Sequence, residues 1–333
     1  MVSPRLAPGV DRVRRGLAAA AAASPGLRRV LAVAGRELSQ AAEAGRRDAA
    51  REPDDGDYGG RYFGEGRDPS GDRQGLSGYA TYDRVSSNAD IAAYLLWRNV
   101  RAERSLDVGC ARGYLVEALR ELGVDARGCD VSTYAVTHAA PVARGFVAVG
   151  DLASGLPFAD GHFDLVTTLE ILEHLDPAEV PGALAELRRV CRVALYATIP
   201  SFGVSVSGPH GHFEGKVRPE RLDHYRSLGD DFEGPVPEAD LAVDADGHLL
   251  EGHRTIASFG WWTARFAEAG FERRADVERR LYADIEPAGL APFWNLYLFA
   301  VPGTPDDRFE PREPGRSLAE LGLVHPLLDA DPG

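Results

Sequence analysis

The stretch LDVGCARGY, Leu106 to Tyr114, opens with a short run in which an acid, Asp107, is set between apolar residues, and follows it with two glycines, Gly109 and Gly113. The run reads as a buried strand. YLVEALRELG after it reads as a helix with Leu115, Leu119 and Leu122 on one face. Strand, glycine turn and helix form the first unit of a parallel α/β sheet, in which ligands bind beyond the carboxyl ends of the strands. A glycine there lets the backbone approach a ligand with no Cβ in the way. The dinucleotide pattern GxGxxG needs glycines where the chain has Ala111 and Tyr114, so that reading fails.

Outward from this stretch the rhythm repeats. Strand-like runs end at Val149, Thr168 and Ile199, and ARGCD closes a second strand at Asp130. Helical patterns such as PAEVPGALAELRRV lie between them. After Pro200 the pattern breaks for about fifty residues, too long for an ordinary sheet connection. Residues 201–257 are therefore expected to be an inserted lid or substrate-binding region, with a hairpin turning at Asp246-Gly247. Helix resumes in WWTARFAEAG, and NLYLFAVP is a last strand. The expected plan is an N-terminal helical extension over 1–57, an aromatic-containing linker or partial lid over 58–90, a core over 91–302 and a tail over 303–333.

The chain has 333 residues and a formal net charge of -14, which disfavours long nucleic acid as a partner. Cys110, Cys129 and Cys191 are the only cysteines, spaced like neither a zinc knuckle nor a disulfide scaffold, and a reducing cytoplasm is the simple expectation. No stretch is apolar enough to span a bilayer. The Ala-rich start has arginines on both sides and reads as a surface or docking helix rather than a signal peptide.

Three acids fall at or near strand ends. Asp107 beside the glycine turn would repel a pyrophosphate but hold a cationic amino group. Asp130 is placed to accept from the two hydroxyls of a ribose, and Asp151 from an adenine amino group. Each also has a structural alternative, as a helix cap or a turn acid. Taken together they describe S-adenosyl-L-methionine.

LDVGCARG, GCDVS, GDLASGLPFADGHFDLVTTLEILEHL and ALYATIP resemble, in order and spacing, the signatures of class I S-adenosylmethionine-dependent methyltransferases of the bacterial small-molecule branch. The resemblance covers residues 90 to 302 and implies a doubly wound, mostly parallel seven-stranded, Rossmann-like α/β sheet. It implies cofactor contacts at Asp107, Gly109, Cys110, Ala111, Gly113, Asp130, Val131, Asp151, Leu152, Leu169 and Glu170. Ala111 stands where the family usually has glycine.

Transfer to oxygen calls for a base, and His174 after the fourth strand is the first candidate, followed by His210, His212 and His253. HGH offers two atoms toward a metal without the remaining ligands, so no metal site is expected. Tyr62, Phe63, Tyr79, Tyr82 and Trp261 are candidates for an apolar wall around the acceptor, with Trp261 alternatively in the helix core. Lys216, Arg218 and Arg221 are candidates for an anionic group on the acceptor, or for solvated surface. The function implied is methylation of a hydroxyl, or an amine, on a small natural product or glycosylated metabolite. A peptide, protein or RNA acceptor, a cofactor-binding relative without transfer, and a homodimer are left open.

Overall fold

A computed structural model describes residues 82–313, apart from 207, 211–214, 244–246, 248 and 286–294. Its strands are β1 (Arg104–Val108), β2 (Asp125–Asp130), β3 (Val147–Val149), β4 (Phe163–Leu169), β5 (Cys191–Thr198), β6 (Ser201–Ser205), β7 (Gly208–His210), β8 (Ala257–Ser258), β9 (Glu272–Arg273) and β10 (Leu296–Ala300). The helices are α1 (Ala89–Asn99), α2 (Tyr114–Glu121), α3 (Thr133–Thr137), α4 (Val180–Val190), α5 (Leu222–Leu228), α6 (Phe259–Glu268) and α7 (Ala275–Ile285).

Seven strands make one sheet in the order β3-β2-β1-β4-β5-β10-β9. β1 to β5 are mutually parallel, while β10 runs antiparallel to both of its neighbours. β1 and β4 are buried almost throughout because helices cover both faces of the sheet, and the acids they carry, Asp107 and Asp164, are hydrogen-bonded in place. Alternation along β10 sends Leu296 and Leu298 into a core shared with α1, α2 and α7, and Tyr297 and Phe299 into one shared with α4 and α6. Leu115 and Leu119, one turn apart on α2, enter the first of these cores. The side chains of Ser132 and Ser258 cap α3 and α6 by accepting from the Ala135 and Trp261 amides.

The long departure after Pro200 has structure of its own. β6 pairs parallel with β8 (Ser201↔Ala257, Phe202↔Ser258), so both ends of the insertion meet side by side. Between them Phe202, Val217, Tyr225, Val236, Leu241 and Ile256 form a separate small core. Val243 bridges Leu249 antiparallel, flanking the expected hairpin, whose Asp246 lies outside the described residues. The extension over 1–57 lies wholly outside them as well. Among the described residues no helix is long and apolar enough to cross a membrane.

At the amino edge of the sheet Asp164, fully buried, gathers the start of β1 and the tail. Its Oδ2 accepts from the Glu103 and Arg104 amides at 2.9 and 3.1 Å, and its Oδ1 from Arg308 at 2.9 Å and from Arg192. Burial pushes its pKa up, but the Arg192 guanidinium and the two amides outweigh burial and leave it below the usual value. A depressed carboxylate contributes stability that is present above its unfolded-state pKa of about 3.9 and is lost as pH falls through the lower folded value. Asp164→Asn should therefore lower the unfolding free energy by about 2 to 4 kcal/mol in urea titrations at pH 7. The difference from the parent protein should shrink as the titration is repeated at progressively lower pH.

Candidate active site

The sheet order reverses beside β1, and the carboxyl ends of β1, β4 and β5 open there into a cavity of about 380 Å³. β1 and the turn after it supply Asp107, Gly109 and Cys110, with Leu115 behind them. Leu169 and Glu170 come from the end of β4, and Thr198 and Pro200 from β5. Tyr82, Ser87, Asn88 and Ala89 close one side from the start of α1, and Asn295 completes the lining.

The turn is held from below by β2. The amides of Gly109 and Cys110 both donate to the Cys129 carbonyl, at 2.8 and 3.0 Å. Gly109 has φ +77°, and a Cβ there would lie 2.2 Å from Cδ1 of Ile171. Gly113, at φ +76°, immediately precedes α2, and its Cβ would lie 2.8 Å from that of Ala143. Gly128 on β2 is a glycine the sequence reading missed: a Cβ there would meet Cys110 at 2.7 Å. Among the described residues only Asn88, Ala111 and Glu170 are left-handed without being glycine, with φ of 53°, 46° and 55°. All three lie at or beside this cavity, where such strain points to function. Ala111 thus keeps a glycine's conformation while its methyl packs on Ala135.

Asp107 is 5% exposed and accepts from the Thr167 hydroxyl at 2.7 Å. Burial pushes its pKa up to about 7, with the Thr167 bond lowering it and nearby Asp130 raising it further. Asp130, the acid expected to face a ribose, also binds backbone. Its two oxygens accept from the backbone amides of Ala111 and Ser132, at 2.7 and 2.8 Å, so it fastens the turn to β2 and stands behind the cavity lining. Burial still raises its pKa despite those two bonds. Asp151 folds back on its own turn, accepting from the Ala153 amide at 2.9 Å and the Ser154 hydroxyl at 2.5 Å. Leu152 is buried beside it, and Val131 is exposed at the rim of β2. Cys110, Cys129 and Cys191 are free, buried thiols whose pKa values burial raises, which makes them poor nucleophiles.

Tyr82 lines the cavity and sits 5.7 Å from the Tyr114 ring. Trp261 lies elsewhere, partly buried against the core and edge-on to fully buried Trp262. Tyr62, Phe63, Tyr79 and His212 lie outside the described residues, and only the backbone of His210 is described, in β7. Arg221 is ion-paired to Asp240 at 2.9 Å. His174 and His253 come together, their rings 5.1 Å apart and perpendicular, next to the fully buried Glu173. His253 is 8% exposed, and burial lowers its pKa to about 2, with Lys216 and His174 adding to the shift, so the ring is neutral at physiological pH. Neither histidine is among the residues lining the cavity.

Residues 106–194 match the model of a family described as a methyltransferase domain. The strand order around that match is the one of the class I methyltransferase fold. Ubiquinone biosynthesis O-methyltransferase of Methylococcus capsulatus is 35% identical over 107 residues, which are 30% of this chain and 45% of that one. The protein of the same name from Xanthomonas campestris is 29% identical over 174 residues, 46% of this chain and 69% of that one. The chain thus spans less than half the length of the first of these curated relatives. A crystal structure of magnesium protoporphyrin IX methyltransferase from Synechocystis PCC 6803 aligns with 68% of this chain and 91% of its own, at 14% identity and a TM-score of 0.39, too loose a likeness to argue from.

The methyltransferase domain depends on the fit of its glycine turn. Gly109→Ala adds both left-handed strain and a clash with Ile171, and should cost about 3 kcal/mol or more in urea unfolding. Gly123→Ala is the control, because its φ is +85° but nothing lies within 4 Å of its Cβ. It should cost only the strain, about 1 to 2 kcal/mol. Equal losses would remove Ile171 packing as the constraint on the turn.

Proposed function

We propose that this protein transfers the methyl group of S-adenosylmethionine to a hydroxyl of a small or medium-sized metabolite, with an amine as the alternative acceptor. The observation that carries the reading is the buried Asp107 carboxylate beneath the glycine turn, opening into a cavity at the switch point of the sheet. A cavity of about 380 Å³ suits a bound nucleoside of this size. The relatives that carry O-methyltransferase names support oxygen as the acceptor.

The cofactor supplies a methyl group already activated on a sulfonium. Asp107 holds its ammonium group, and the amides and glycines of the turn carry the remaining amino-acid end. Leu169 and Glu170 flank the sulfur, and Val131, Asp151 and Leu152 take the base end. Tyr82 and the start of α1 keep water from the reacting atoms. Of the expected linker over 58–90, residues 58–81 lie outside the described residues, and residues 201–257 are the lid over the acceptor. The acceptor oxygen forms its bond to the methyl carbon as the carbon-sulfur bond breaks, the electron pair goes to sulfur, and the hydroxyl proton leaves to a base or to water. Three buried free thiols and the acidic charge favour a cytoplasmic setting.

The decisive assay incubates the protein with labelled cofactor and a panel of hydroxylated and aminated metabolites. Label on a hydroxylated product is the expected result, and no turnover across the hydroxylated panel would sink oxygen transfer. The charge on Asp107 makes a second prediction. Only its ionised form holds an ammonium, and its pKa in the free protein is about 7. Affinity for S-adenosylhomocysteine, measured by calorimetry, should fall by up to about tenfold for each pH unit below 7 and level off above it. Asp107→Asn should bind more weakly and lose that slope. A flat profile in the parent protein would refute the ammonium contact.

A further inference from the structure

The return of the insertion brings three donor groups together against the turn that follows β4. We propose that Glu173, His174 and His253 bind one divalent cation of the zinc class, which ties the insertion to the methyltransferase core. One donor atom from each residue lies within 4.8 Å of the others, and His253 Nε2 is 3.9 Å from Glu173 Oε1. Ligands bonded to zinc at about 2.0 to 2.2 Å stand roughly 3.4 Å apart in a tetrahedron, so side-chain rotations that close the set by about 0.5 to 1.4 Å complete it. Two imidazoles and one carboxylate suit zinc, cobalt or iron, whereas magnesium and calcium take oxygen ligands.

The surrounding backbone holds this geometry. His174 Nδ1 lies 3.2 Å from the Gly252 carbonyl. A carbonyl only accepts, so Nδ1 carries the proton and Nε2 keeps the lone pair that a metal needs. Gly252 has φ +72°, and a Cβ there would press on His174 Nδ1 at 3.2 Å. The amides of Arg254 and Thr255 both donate to the Glu173 carbonyl, at 2.8 and 2.9 Å, and the Thr255 hydroxyl donates to the Leu175 carbonyl at 2.7 Å. The ligands are thus set by backbone bonds between segments 78 residues apart. Three protein ligands leave one tetrahedral position open.

The test uses the untagged full chain, dialysed against a chelator and then titrated with Zn²⁺ by calorimetry and with Co²⁺ by visible spectroscopy. One Zn²⁺ per chain is expected, with a raised thermal midpoint, intense cobalt bands of low coordination number, and no comparable Mg²⁺ binding. Glu173→Gln and His253→Ala should each weaken Zn²⁺ at least tenfold. Absence of stoichiometric Zn²⁺ binding overturns the proposal, as does binding that neither variant changes, which marks an ion held elsewhere. If the variants fail to fold, the parent protein's cobalt spectrum decides, the pale spectrum of the hydrated ion counting against the site. S-adenosylhomocysteine binding on the same samples separates this outcome from failure of the methyl-transfer reading.

Discussion

The contact on which the carboxyl edge of the sheet depends is the glycine turn lying flat between the end of β2 and Ile171. From below, the Cys129 carbonyl takes two of its amides and Asp130 takes a third. From above, Ile171 occupies the volume that any side chain at Gly109 would need. The turn therefore cannot rise or slide, and Asp107 is held at the cavity floor with Thr167 fixing one of its oxygens. Rigidity of this kind lets a binding site engage a ligand with little reordering.

Burial gives that arrangement its electrostatic character. Asp107 and Asp130 sit close enough for each to be felt in the other's surroundings, in a region that water scarcely reaches. The two acids answer this in different ways. Asp130 is met by backbone amides and serves the fold, whereas Asp107 keeps an ionisable group facing the cavity. A cationic ligand would relieve that cost directly, and an anionic one would aggravate it.

The opposite edge of the sheet and the insertion supply the frame. Asp164 binds the starts of β1 and the tail through arginines and amides, far from the ligand end. The insertion leaves and returns through paired β6 and β8 and carries its own apolar core, so it behaves as a packed body rather than a loose loop. Its return strap bonds to the turn after β4, the same turn whose neighbours Leu169 and Glu170 wall the cavity.

By itself the sequence determined what depends on local period and composition: the alternation of strands and helices, the extent of β1, β4 and β5, the glycines of the turn, and an acid at the end of β1. A strand buried on both faces is mostly apolar, and a turn at positive φ with a neighbour filling the Cβ space needs glycine, so both leave a trace in neighbouring letters. Tertiary structure decided what depends on partners far along the chain. It turned Asp130 toward backbone, brought Asn88 and Asn295 to the cavity, required Gly128 to make room for Cys110, and set His253 beside Glu173 and His174. Such meetings follow from how helices and sheet pack, and no spacing within a short stretch encodes them.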